Sequence, residues 1–109
     1  MKRGDVLTVA LSGDQGKPRP AVVVQSDLIA DCDTVLVCPF TTVMRDASAH
    51  RLSVIPGPAN GLRQPSQIML DKISPARKTR CGPVIGDLDV QTMAELDRRL
   101  AFVIGLGAG

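Results

Sequence analysis

The sequence predicts a mostly β fold completed by one C-terminal α-helix. Residues 20–25 and 34–40 are almost continuously apolar and rich in β-branched side chains, which suits strands buried on both faces. Gly- and Pro-containing stretches cut the first ninety residues into short pieces. After Asp89 the apolar residues recur at three- and four-residue spacing, the period of a helix with one buried face. At 109 residues, the expectation is a single domain spanning 1–109, long enough for one core.

The elements follow in order. Residues 6–11 read as a first strand, with Val6, Thr8 and Ala10 on one face and Leu7, Val9 and Leu11 on the other. Residues 12–18 form a turn-rich loop with two glycines. Residues 20–25 form a second strand, after which Ser26 and Asp27 offer a cap for a short helical turn over 28–30. Residues 34–40 form a third strand, and Pro39 marks its end as an edge or bulge. A short fourth strand is expected over 51–55 and a turn over 56–61. The fifth strand spans 66–73, and Ser74 with Pro75 starts a helical turn over 74–77. A brief last strand covers 84–86. Asp89 then caps a helix whose stripe is Val90, Met93, Leu96, Leu100, Val103 and Ile104, ended by Gly105 and Gly107. Five or six short strands with one packed helix fit a compact, strongly bent β-barrel.

Composition narrows the function. Hydrophobic residues make up 44% of the chain, which argues for a globular protein. A net charge of +2 excludes a general polyelectrolyte binder, so nucleic-acid contact would need a local basic patch. Trp and Tyr are absent, and Phe40 and Phe102 are the only aromatic residues. RNA recognition would therefore rest on Arg, Lys, hydroxyls and backbone groups rather than on stacking platforms. There is no signal-peptide core and no run long enough to span a membrane. The three cysteines, Cys32, Cys38 and Cys81, match neither a zinc site nor a disulfide framework, and an odd count suits a reducing cytoplasm. Cys38 sits in an apolar run and reads as a small buried hydrophobe.

The segment Lys17-Pro18-Arg19-Pro20 opens the second strand. Each proline fixes its own φ and pushes its predecessor towards an extended conformation, so Arg19 is delivered from a stiff loop. Asp14 lies on the same loop. An always-charged planar donor beside a carboxylate suits phosphate handling; on the local pattern alone, Arg19 equally reads as the partner of a surface carboxylate. Phosphodiester cleavage without a metal would require a base for the attacking hydroxyl, cations for the charge developing on the phosphoryl oxygens and an acid for the leaving oxygen. Arg19 is the candidate cation and proton donor, and Asp14 is the candidate base or a group that orients Arg19. Thr41 can hydrogen-bond the phosphate or the 2′-hydroxyl, or simply satisfy a strand end. No paired histidines and no carboxylate cluster suggest a metal site, so neither metal nor cofactor is expected.

The opening Lys2-Arg3-Gly4-Asp5-Val6, the Arg19-Pro20-Ala21-Val22-Val23-Val24 strand start and Cys38-Pro39-Phe40-Thr41-Thr42 resemble the MazF/PemK family. So does Gly61-Leu62-Arg63-Gln64-Pro65-Ser66-Gln67-Ile68 with a closing amphipathic helix. The resemblance implies an SH3-like barrel and a toxin of a type II toxin–antitoxin system that cleaves single-stranded RNA at a short sequence without metal. The implied products are a 2′,3′-cyclic phosphate and a 5′-hydroxyl. It assigns the main catalytic positions to Arg19 and Thr41. The family's acidic residue followed by Gln matches Asp14-Gln15, with Asp in place of the usual Glu. Some relatives instead use an Arg and an Asp before the fifth strand; those positions are Gln64 and Ser66 here, and Arg63 is one residue out of register. RNA contacts are expected from Gln15, Lys17, Thr42, His50, Arg63, Gln64, Ser66, Arg77, Lys78 and Arg80. The implied partners are single-stranded RNA, a second copy of the chain and an antitoxin with an acidic disordered tail.

Two rivals follow from the same residues. Val24-Gln25-Ser26-Asp27-Leu28-Ile29 resembles a run in the gyrase poison CcdB, although the chain has no Trp near its end. A catalytically inactive toxin homologue is the other, because of the departures at Gln64 and Ser66.

Overall fold

The computed structural model describes residues 1–11, 17–46 and 48–107. Seven strands, β1 (Asp5–Val9), β2 (Arg19–Val23), β3 (Thr34–Thr41), β4 (Arg51–Val54), β5 (Ser66–Met69), β6 (Ser74–Arg77) and β7 (Cys81–Asp87), precede helix α1 (Val90–Val103). The strands pair antiparallel in the order β4-β5-β3-β2-β1-β7, with β6 also on β3. β3 organises the sheet. β2 lies along one of its edges; β5 takes Phe40 and Thr41 on the other, and β6 takes Thr34 to Val37. The result is barrel-like but not closed, with β4 and β7 as the two ends of the strand order.

Alternation of side chains along the strands produces two apolar clusters. Val6, Val22, Cys38, Phe40, Ile68, Leu70 and Leu96 fill the first, which α1 covers with Met93, Leu100 and Val103. Leu7, Val9, Ala21, Val23, Val35, Val37 and Ala76 fill the second. Asp89 caps α1 as expected, accepting from the Thr92 N–H at 2.6 Å. That bond, with the Thr92 side chain second, holds the Asp89 carboxyl below its ordinary range.

The Lys2-Arg3-Gly4-Asp5 opening ties the chain down. Arg3 Nε donates to the Val24 carbonyl at 3.0 Å and its guanidinium pairs with Asp97 on α1. Asp5, 5% exposed, accepts from the Lys2 N–H at 2.8 Å. Gly4 has φ +93°, with Met93 of α1 beside it; the left-handed conformation favours glycine there.

Four expectations differ from the structure. Residues 74–77 form strand β6 rather than a helical turn, because β5 leaves the Thr34–Val37 edge of β3 unpaired and β6 fills it. The fifth strand stops at Met69 instead of 73, since β4 begins at Arg51, opposite Met69, and a 3-10 turn follows over Leu70–Lys72. The last strand covers Cys81–Asp87, not 84–86, because it pairs along β1 from Asp5 to Val9. Val90 and Ile104 are 86% and 56% exposed, so the helix stripe is narrower at both ends than its spacing suggests.

Candidate functional site

Antiparallel pairing places Arg19 and Thr41 at the same end of the sheet. Val9 on β1 lies opposite Arg19, and the β2–β3 ladder runs from Val23 and Val37 to Ala21 and Pro39. Arg19 at the start of β2 and Thr41 at the end of β3 each lie two residues beyond that last pair. On the other side of β3, Thr41 lies opposite Gln67, and Gln67 opposite Ser53. Lys17, Arg19 and Thr42 are exposed at that end and Thr41 is half-buried.

The Thr41 hydroxyl has a defined role in this setting. Its Oγ1 accepts the Val43 N–H at 3.1 Å. A threonine hydroxyl has one donor hydrogen and two acceptor sites; with an amide on the acceptor side, the O–H is left to donate to a ligand oxygen.

The remaining expected residues divide by position. Asp14 and Gln15 lie outside the described residues. Arg63 and Gln64 are exposed just before β5, which starts at the end of the sheet where β3 finishes. Ser66, expected at the RNA surface, is instead 4% exposed, and its Oγ donates to the Gln64 carbonyl at 3.0 Å; a side chain turned inward and satisfied presents nothing to a ligand. His50 is exposed before β4, beyond the end of that strand opposite Ser53. The basic cluster stays together in space: Arg77, which pairs with Thr34, and Arg80 line one cavity with Ala10 and Leu11. Lys78 Nζ donates to the Ala30 carbonyl at 3.2 Å. Arg80 belongs with the Arg19 end: its carbonyl accepts the Ala10 N–H at 3.4 Å, and the next residue, Cys81, pairs with Val9.

Sequence reasoning missed the residues that hold the loop after Thr41. Gln67, 3% exposed, accepts the Arg45 N–H at 3.1 Å and donates to the Arg45 carbonyl at 2.9 Å. Arg51 Nη1 donates to Gln67 Oε1 and to the Val43 carbonyl, both at 3.2 Å. The available signal was a polar amide inside the otherwise apolar Gln67-Ile68-Met69-Leu70 run, at a position that needs a buried partner.

The site offers cations and a hydroxyl rather than a thiolate or a metal cluster. Burial, with the Asp71 charge second, pushes the Cys38 thiol up to about 12. Burial also raises Cys81, partly offset by Lys78. Among the described residues, no three His, Cys, Asp or Glu side chains are grouped to hold a metal ion, and no helix is long and apolar enough to cross a membrane.

Known proteins resemble the chain along nearly all of its length. It is 36% identical over 107 residues to a probable endoribonuclease MazF of Mycolicibacterium smegmatis, covering 97% of this chain and 98% of that one. It is 29% identical over 111 residues to endoribonuclease EndoA of Bacillus subtilis, covering 97% and 96%. Its fold superposes with a TM-score of 0.82 on a mycobacterial endoribonuclease solved in complex with its cognate antitoxin, at 22% identity and with 100% and 99% coverage. Residues 2–104 match the model of the PemK-like, MazF-like toxins of type II toxin–antitoxin systems, and the chain belongs to that family.

Proposed function

We propose that this protein is the toxin of a type II toxin–antitoxin pair, a metal-independent endoribonuclease that cuts single-stranded RNA at a short sequence. The observation that carries the reading is the placement of Arg19 and Thr41 at the same end of the sheet, in a chain whose relatives are named endoribonucleases. That naming also favours a nuclease over a gyrase poison.

In this mechanism the 2′-hydroxyl attacks the adjacent phosphorus, forming the 2′,3′-cyclic phosphate and breaking the bond to the 5′-oxygen, which takes a proton from the Arg19 guanidinium and leaves as a hydroxyl. The Arg19 guanidinium stabilises the charge that grows on the phosphoryl oxygens, and the Thr41 O–H donates to one of them. Asp14 takes the 2′-hydroxyl proton. Lys17, Thr42 and Arg80 border Arg19 and Thr41 and hold the flanking phosphodiester backbone, while Arg63 and Gln64 meet the strand beyond β5. An antitoxin presenting an acidic tail would compete for the same cations, and a second copy of the chain would complete the groove.

The test is incubation of the purified protein with a long defined RNA in EDTA, beside Arg19→Ala. Cleavage at discrete sites by the wild type, lost in the variant, is expected. Intact RNA with the wild type would overturn the reading and direct attention to a gyrase supercoiling assay.

A further inference from the structure

The segment following Thr41 makes no regular strand, yet side chains from three elements grip its backbone. Gln67 on β5 uses all four hydrogen-bonding positions of its amide. Oε1 accepts from the Arg45 N–H at 3.1 Å and from Arg51 Nη1 at 3.2 Å. Nε2 donates to the Arg45 carbonyl at 2.9 Å and to Ser53 Oγ at 3.3 Å. Holding the N–H and the carbonyl of one residue, the amide stands in for a neighbouring strand. Arg51 on β4 adds a bond to the Val43 carbonyl at 3.2 Å. Arg99 on α1 fastens the far end, with Nη1 donating to the Ser48 carbonyl at 3.1 Å and the Arg51 carbonyl at 2.6 Å.

This grip reaches the hydroxyl. Val43, held through its carbonyl by Arg51, presents the N–H of its other peptide to Thr41 Oγ1 at 3.1 Å. A short chain of bonds thus runs from Gln67 through Arg51 and Val43 to Thr41. Gln67 is also the residue directly opposite Thr41 in the β3–β5 ladder. A polar amide only 3% exposed is costly to bury unless fully bonded, and here three of its four bonds go to Arg45 or to Arg51, which holds the segment beside Thr41.

We propose that Gln67 is a positioning residue of the nuclease site: through Arg51 and the Val43–Arg45 backbone it fixes the Thr41 hydroxyl in its donating orientation. The proposal rests on the ribonuclease reading above. Gln67 touches neither RNA nor the reacting atoms; it acts through Thr41.

The test compares wild type with Gln67→Met, which keeps the side-chain length and removes all four bonds, in single-turnover RNA cleavage and in amide hydrogen exchange without RNA. Misplacing a reacting group by about 1 Å costs about 100-fold in rate, so kcat is expected to fall by about 10- to 100-fold with KM changed less than about threefold. The amides of Val43 and Arg45 are expected to exchange at least about tenfold faster, with those of Val22 and Cys38 in the sheet unchanged. Should Gln67→Met not fold, Arg51→Met carries the same comparison, since it deletes only the bonds to Val43 and Gln67 from a partly exposed guanidinium. Unchanged kcat in a wild type that cuts RNA, or equal exchange at Val43 and Arg45, overturns the positioning role alone. A wild type that leaves RNA intact overturns the ribonuclease reading, and the catalytic half of this proposal with it, while amide exchange still decides whether the grip exists.

Discussion

Replacing Thr41 by Val removes one oxygen atom and keeps the β-branched shape that suits the end of a strand. In the resting protein that oxygen accepts one hydrogen bond, from the Val43 N–H at 3.1 Å. Val43 is exposed, so water can replace the lost acceptor, and the stability change is expected to stay below about 1 kcal/mol. In the proposed transition state the same oxygen carries the hydrogen donated to a phosphoryl oxygen. Deleting one such donor typically costs about 100- to 1000-fold in kcat, or about 3–4 kcal/mol. The catalytic loss exceeds the structural one severalfold, which makes the two separable. Single-turnover cleavage of a defined RNA oligonucleotide in EDTA reads the first, and urea denaturation reads the second. Thr41→Ser retains the hydroxyl and is expected to keep activity within about tenfold of wild type. The reasoning fails if Thr41→Val cuts within fivefold of wild type, or if Thr41→Ser is as impaired as Thr41→Val.

Three further outcomes follow from the fold. Leu96, fully buried between α1 and the sheet, should cost about 2–5 kcal/mol on truncation to Ala, measured by urea denaturation; a cost below 1 kcal/mol would mean that the helix does not seal the first cluster. Gly86→Ala would put a Cβ 2.3 Å from the Ala59 carbonyl oxygen and 2.4 Å from the Asn60 carbonyl carbon, both rigid backbone, so it should destabilise by more than about 1 kcal/mol; an unshifted unfolding midpoint would contradict this close approach. Hydrogen bonds from Arg98, then Arg99, lower the Glu95 carboxyl, and the Thr92 N–H lowers Asp89. Carboxyls lowered on folding stabilise above their unfolded values, and that contribution is lost as pH falls through the folded ones. Thermal midpoints should therefore drop on acidification below the ordinary 4.5 of Glu95 and 3.8 of Asp89, and Glu95→Gln should flatten that drop; equal slopes for variant and wild type would refute it.

What the sequence made legible was whatever local chemistry determines. The β-branched runs of β2 and β3, the Asp89 cap and the spacing of Met93, Leu96 and Leu100 each follow from short-range rules. Residues 74–77 did not, because Ser-Pro fits the start of a helical turn equally well and only the vacant edge of β3 selects a strand. At the site, Arg19 and Thr41 stood out by residue type and family resemblance, while their placement at the same end of the sheet depends on the register of β2 against β3. Arg77, Lys78 and Arg80 are close in sequence, and Arg77 and Arg80 stay close in space, lining one cavity with Ala10 and Leu11; that this cavity lies beyond the Val9 end of β1 depends on the pairing of β7. Gln67, Arg51 and Arg99 were hidden for a related reason: their partners are backbone groups of a remote loop, which side-chain patterns do not reveal.

The same register explains how a small sheet can hold reacting groups firmly. Arg19 and Thr41 are twenty-two positions apart in the sequence, but the β2–β3 ladder places them, and that ladder is anchored by Ala21, Val22 and Val23 inside the two apolar clusters. Their spacing is a property of backbone hydrogen bonds, so substitutions in the flanking loops leave it unchanged. Ser66 turns inward and Gln64 carries no charge, so Arg63 is the cation left beside them before β5, and the proposed mechanism places phosphate stabilisation chiefly on Arg19 and Thr41. The loop after Thr41 is the exception among the flanks: through Val43 it touches the hydroxyl itself, and a buried amide and two arginines hold it. Loss of that grip should slow the proposed chemistry at every cleavage site alike.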